Sequence, residues 1–122
     1  VSVIVQLETP LAIANLEAIA AVPGVDAIFL GPGDLSASMG HVGQLTHPEV
    51  FALMAEAAQR CRALNMPIGT VGGTPEVVAK YLDAGFDYVA IASDLGLLMR
   101  AAQAALTALG QHSVATVTSS GY

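Results

Sequence analysis

The sequence predicts an α/β protein of four consecutive strand–helix units, half of a TIM (β/α)8 barrel. Three observations lead there. Short apolar or β-branched runs alternate with segments of helical period along the whole chain. One helix-exit, strand-entry phrase occurs twice, as Gly24-Val25-Asp26-Ala27-Ile28 and as Gly85-Phe86-Asp87-Tyr88-Val89, two βα units apart. No sheet-reversing feature interrupts the alternation, which fits half of an eight-unit barrel; a free-standing four-strand doubly wound domain is the alternative.

The elements follow in order. Val3 to Leu7 is the first strand, apolar throughout as in a sheet covered on both faces. Thr9-Pro10 starts a helix, with Thr as the cap and Pro at the first helical position. Ile13, Leu16 and Ile19 form its stripe, and Pro23-Gly24 ends it. Ala27 to Leu30 is the second strand, running into Gly31-Pro32-Gly33-Asp34 and a Gly-rich loop that extends to about Gln44. His47-Pro48 opens the longest helix, with Val50, Leu53, Met54, Ala57, Cys61 and Leu64 on its buried side, and Met66-Pro67 closes it. Ile68 to Val71 is the third strand. Thr74-Pro75 repeats the capping pair of Thr9-Pro10, and Val77, Val78, Tyr81 and Leu82 are expected to face inward before Gly85 stops that helix. Tyr88 to Ala92 is the fourth strand. Asp94 is read as the cap of the last helix, whose stripe is Leu98, Ala101, Ala105 and Leu109. Residues 1–110 therefore form the barrel half, and 111–122 a polar tail, either disordered or docked on a neighbouring subunit.

Composition narrows the function classes. The 122 residues are 54% hydrophobic and 11% charged, too apolar for a disordered chain. No apolar run approaches the roughly 18 residues of a membrane span, and Val1-Ser2-Val3-Ile4-Val5 lacks the marks of a signal peptide. The chain opens without Met directly on a strand, so we read it as a piece of a longer polypeptide. A single cysteine, Cys61, forms no internal disulfide and reads as a core residue; a cytoplasmic location follows. Net charge is −6 with four basic residues, Arg60, Arg62, Lys80 and Arg100, too few for a nucleic-acid surface.

In either parallel arrangement, chemistry belongs at the C-terminal ends of the strands. Glu8 follows the first strand and Asp34 the second. Neighbouring strands lie about 5 Å apart, so two carboxylates there can share a hard divalent cation, with water and substrate oxygens completing its shell. Gln6, two residues before Glu8, points to the same face and can donate to a substrate oxygen. Gly31 and Gly33 permit close backbone approach, and their N–H groups could cradle a carboxylate. Spacing alone leaves other readings open: Asp34 as the cap of a short helix from Leu35, Glu8 as a solvated loop residue. Lys80, the single lysine, lies mid-helix and points to solvent, which disfavours a Schiff-base route. His41 and His47 read as loop or capping residues that could approach the site mouth or a neighbouring subunit, and His112 as solvated.

Gln6-Leu7-Glu8-Thr9, Gly31-Pro32-Gly33-Asp34-Leu35-Ser36, Met39-Gly40-His41, His47-Pro48-Glu49-Val50 and Val89-Ala90-Ile91-Ala92-Ser93-Asp94, in this order, resemble the HpcH/HpaI aldolase family, sugar-acid branch. The resemblance implies a TIM (β/α)8 barrel of the phosphoenolpyruvate/pyruvate-domain type, of which this chain would be the C-terminal half. It implies class II retro-aldol cleavage of a 4-hydroxy-2-oxo acid to pyruvate, or a close relative, plus an aldehyde. Glu8 and Asp34 would be ligands of Mg2+, Mn2+ or Co2+, which stabilises the enolate. Gln6 would orient the substrate, the Gly33 and Asp34 backbone would meet its carboxylate, and Val71 would touch the aldehyde part. The family's catalytic arginine and histidine base fall upstream of Val1, so no catalytic acid–base residue is assigned here, and the isolated chain is expected to lack full activity. A hexameric homo-oligomer is implied. A CoA-ester lyase of the citrate-lyase kind, and a non-catalytic half-barrel that acts by assembly, are the alternatives.

Overall fold

The computed structural model describes residues 1–110. Four parallel strands, β1 (Ile4–Leu7), β2 (Ala27–Leu30), β3 (Ile68–Val71) and β4 (Tyr88–Ala90), form one sheet in sequence order. Helices fill every connection: α1 (Pro10–Ala14), α2 (Leu16–Ala20), α3 (Pro32–Ser38), α4 (Pro48–Ala63) and α5 (Pro75–Asp83), with α6 (Asp94–Ala108) after β4. This is the architecture of a (β/α)8 barrel segment. The expected tail, 111–122, lies outside the described residues.

Burial divides the sheet into two unlike faces. Leu7, Ile28, Leu30, Ile68 and Thr70 alternate onto the helix-covered face and are buried. Against them α4 packs Val50, Met54, Ala57, Ala58 and Cys61. Tyr81 of α5 is sealed between Phe51, 5.9 Å away, and the edge of Phe86 at 5.4 Å. The opposite face carries Ile4, Gln6, Phe29, Val71 and Tyr88, none of them buried. On this face Tyr88 lies flat over Gly69, where any Cβ would strike its ring, and its hydroxyl donates to the Ile28 carbonyl oxygen two strands away at 2.8 Å.

The repeated phrase is a strand clip. Gly24 (φ +94°) and Gly85 (φ +99°) end their helices in the left-handed region that favours glycine. Two residues on, Asp26 accepts from the Val3 N–H at 2.7 Å and Asp87 from the Ile68 N–H at 2.9 Å. Each aspartate thus ties the entry of its strand to the entry of the neighbour. The Thr-Pro starts also act alike: Thr9 accepts from the Ala12 N–H at 3.0 Å and Thr74 from the Val77 N–H at 3.4 Å.

Several expectations are corrected. The helix after Thr9 is two helices, because Asn15 leaves helical geometry (ψ 13°) and its side-chain amide donates to the Leu11 carbonyl oxygen. The Gly-rich stretch after β2 is not all loop: Pro32 to Ser38 is helical. Leu64 caps α4 and is exposed, while Ala58 takes a buried place. Leu82 of α5 is exposed, and Val77 and Val78 are only half-buried. The fourth strand stops at Ala90. Ser93, not Asp94, caps α6, accepting from the Gly96 N–H at 3.0 Å, and Asp94 accepts from the Leu95 N–H. The stripe of α6 buries nothing: Leu98 and Leu109 stay exposed because no other described element covers that helix.

Removing one clip should loosen the sheet. Asp87→Ala is expected to lower stability by about 1 kcal/mol, one hydrogen bond at a half-buried strand entry, read as a lower urea midpoint. An unchanged midpoint would show that water replaces the carboxylate at no loss.

Candidate functional site

β1 and β2 pair in register with Leu7 opposite Leu30, and the Gly31 N–H extends the ladder by donating to the Leu7 carbonyl oxygen at 3.2 Å. Glu8 and Gly31, the next residue on each strand, are therefore neighbours at the C-terminal rim. A Cβ on Gly31 would meet Glu8 Oε1 at 2.6 Å, Gln6 Nε2 at 2.7 Å and Glu8 Cγ at 2.9 Å. Both side chains lie over the bare glycine backbone, which is a packing reason for glycine at this position. Gln6 Nε2 donates to Glu8 Oε1 at 2.6 Å, so the two residues do share a face.

Asp34 enters from the adjoining connection. Pro32 begins α3 immediately after β2, so Asp34 falls in the helix's first turn, where a carboxylate suits the dipole. The cap position belongs to Gly31, which makes no side-chain cap, and the open reading of Asp34 as a cap is thereby set aside. Ser36 is buried with its hydroxyl donating to the Gly33 carbonyl oxygen at 2.8 Å, and Ser38 donates to the Glu8 carbonyl oxygen at 3.3 Å. These bonds lock α3 and tether it to the residue that follows β1. The Glu8 carboxyl is pushed above its ordinary value, first by burial and then by the facing charge of Asp34, with the Gln6 amide pulling the other way.

Two oxygen-donor carboxylates held against each other, Glu8 oriented by an amide over a glycine floor and Asp34 facing it, form a donor set that fits a hard divalent cation. Gly33 is beside Asp34 in the same first turn, where helix N–H groups have no intrahelical acceptor. Val71 ends β3, half-buried, on the sheet face of Gln6, one strand beyond β2.

The remaining candidates lie elsewhere. Cys61 is buried in the core, its thiol pushed up to about 11 by burial, and is inert. Arg60 grips Glu17 through two bonds of 2.7 and 2.6 Å, clamping α4 to α2. Lys80 is exposed on α5. His47 caps α4, its Nδ1 accepting from the Glu49 N–H, and His41 contacts Glu49. What the sequence reading missed is that these two histidines stack, 3.6 Å between ring centroids; the helix inserted before His41 is what folds the loop back.

A parallel βα sheet with a carboxylate pair on its C-terminal rim defines the class, a barrel segment with a candidate site where such barrels keep theirs. The sequence pattern of the HpcH/HpaI aldolase/citrate lyase family matches residues 1–101, and the chain belongs to that family. It is 56% identical over 109 residues to the 2-dehydro-3,6-dideoxy-6-sulfogluconate aldolase of Pseudomonas putida, covering 89% of this chain and 43% of that protein. It is 45% identical over 97 residues to the hydroxypyruvate/pyruvate aldolase of Pseudomonas aeruginosa, covering 80% of this chain and 36% of the relative. Among solved structures, an HpcH/HpaI aldolase/citrate lyase family protein from Burkholderia cenocepacia J2315 superposes with a TM-score of 0.83 at 36% identity, covering 90% of this chain and 43% of the other. The chain thus spans less than half the length of these relatives.

Two predictions follow from the geometry. A raised Glu8 carboxyl favours the folded state only while protonated. That stabilisation is fully present below the unfolded value near 4.5 and is lost as pH rises through the higher folded value. Glu8→Gln should therefore raise the urea midpoint of the metal-free chain at neutral pH, with the difference closing below pH 4.5; a pH-independent difference would contradict this. Gly31→Ala should displace both Gln6 and Glu8 and weaken Mn2+ binding by about tenfold or more, measured by calorimetry with the fold checked by circular dichroism.

Proposed function

We propose that the protein to which this chain belongs is a metal-dependent, class II aldolase. It reversibly cleaves a 4-hydroxy-2-oxo sugar acid into pyruvate, or a close relative, and an aldehyde. The observation that carries this reading is the Glu8–Asp34 pair, with Glu8 lying over the bare Gly31 backbone, at the strand ends where barrel chemistry sits. Relatives at 56% and 45% identity are aldolases by name, one acting on a sulfonated deoxy sugar acid.

Glu8 and Asp34 would hold Mg2+, Mn2+ or Co2+, which supplies a Lewis acid for the 2-oxo group of the substrate. The chain's own contributions are positional. Gln6 spends one N–H on Glu8, holding that carboxylate in place, and keeps its second N–H for a substrate oxygen. The first-turn N–H groups of Gly33 and Asp34 would receive the substrate carboxylate. Val71 offers an apolar contact to the aldehyde part. No proton-transfer role falls to His41 or His47, whose hydrogen bonds go to each other's neighbourhood at Glu49, nor to Arg60, which is committed to Glu17. The base and the arginine of the reaction belong, in this proposal, to the rest of the barrel.

Homo-oligomerisation, to a hexamer as the family resemblance implies, and a cytoplasmic location complete the reading. Among the described residues no helix is long and apolar enough to cross a membrane. The exposed Leu95, Leu97, Leu98 and Met99 of α6, beside Ile91, support burial against further protein.

A chimera tests the reaction. The matching 109-residue segment of the P. putida aldolase is replaced by this chain, and Mn2+-dependent pyruvate release from 4-hydroxy-2-oxo acids is followed by a coupled assay. The chimera should release pyruvate, and Glu8→Gln or Asp34→Asn should abolish the metal dependence. Cleavage of acyl-CoA esters alone, or unchanged metal response in both variants, would overturn the proposal.

A further inference from the structure

We infer that His41, His47 and Glu49 form a second cation site, selective for a borderline transition metal such as Zn2+ and separate from the carboxylate pair. Their ligand atoms lie within 4.8 Å of one another. They are brought together by the connection between α3 and α4: the His41 N–H donates to the Ser36 carbonyl oxygen at 2.8 Å, the Gln44 N–H to His41 at 2.9 Å, and the His47 N–H to Gln44 at 3.0 Å. Both ends of the turn are thus fixed, one to α3 and the other to Pro48 and the first turn of α4.

The hydrogen bonds show which atoms can ligate. The Glu49 carboxylate sits 3.0 Å from His41 Nε2, and this contact holds the carboxyl below its ordinary range, so Glu49 brings a negative charge to two imidazoles. That charge selects a cation over an anion. His47 Nδ1 accepts from the Glu49 N–H across 3.3 Å, so it carries a lone pair committed only to a long, weak bond. The His41 side chain is only 22% exposed and Glu49 71%, which places the imidazole at the wall and the carboxylate at the open side. A metal entering from solvent would take His41 Nε2, with the ring hydrogen moved to Nδ1, together with His47 Nδ1 and one Glu49 oxygen. Water would fill the fourth place.

The rings stack at 3.6 Å with 15° between their planes. A metal cannot lie in both planes while they are parallel, so occupancy must splay the stack. Stack and metal site are alternative states of the same three residues. Two imidazoles and one carboxylate suit Zn2+, Co2+ or Ni2+ far better than Mg2+, whereas the all-oxygen Glu8–Asp34 pair suits Mg2+ or Mn2+.

The test is Co2+ titration of the 122-residue chain carrying Glu8→Gln and Asp34→Asn, so that the carboxylate pair contributes nothing. Intense visible bands of four-coordinate, nitrogen-ligated Co2+ should grow to one equivalent, be bleached by Zn2+, and persist in excess Mg2+. His41→Gln should abolish them. His47→Asn should do the same while keeping a capping oxygen for α4, so loss of the bands with an unchanged circular dichroism spectrum reports the ligand and not the fold. Only weak bands of oxygen-ligated Co2+, or intense bands that persist in the His41→Gln/His47→Asn double variant, would overturn the inference. Because the carboxylate pair is absent throughout, the outcome is independent of the aldolase reading.

Discussion

The pairing of β1 with β2 is the constraint on which the site depends. Leu7 opposite Leu30 sets Glu8 beside Gly31, and the Gly31 N–H closes the ladder at that point. Side chains in a strand alternate with a period of two, so a slip of one residue would turn Gln6 toward the helices and bring Leu7 to the bare face. The register is held from the far end by Asp26, whose carboxylate bonds the Val3 N–H, and from within by the burial of Leu7 and Leu30. The clip at the strand entries and the carboxylates at the strand exits are two ends of one mechanical arrangement.

The two faces of the sheet divide the labour. The helix-covered face supplies cohesion through Met54, Tyr81 and their neighbours and contains a single buried hydroxyl among the strands, Thr70, satisfied by the Leu30 carbonyl oxygen at 2.9 Å. The other face, which in a closed barrel points inward, carries the functional candidates and leaves Phe29 and Tyr88 half-exposed, their rings 6.3 Å apart. Ile91, just beyond β4, and the leucines of α6 are exposed for the same reason. They are built to be covered, and the described residues do not cover them.

Electrostatics separate the two acidic groupings. Glu8 and Asp34 face each other, and the Glu8 carboxyl is raised first by burial and then by the Asp34 charge. Glu49 faces a histidine and is shifted the other way. Like charges held close at the exits of β1 and β2, and a carboxylate held by an imidazole at the start of α4, are different chemical invitations.

The sequence by itself determined the alternation of strands with helical connections, the parallel arrangement of the strands and the residues of the candidate pair. Periodicity, Thr-Pro starts, Gly stops and the repeated Gly-x-Asp phrase are local signals, and local signals specify local conformation. Only the tertiary structure decided which apolar residues are buried, because a stripe such as that of α6 counts as core only when something packs on it. It alone revealed α3 after β2, where Pro32 outweighs the flanking glycines, and so placed Asp34 in a helical first turn. It alone stacked His41 on His47 and showed that Gly31 lies under the Gln6 and Glu8 side chains. Those contacts depend on how loops fold back and strands pair, and no spacing rule carries their distances.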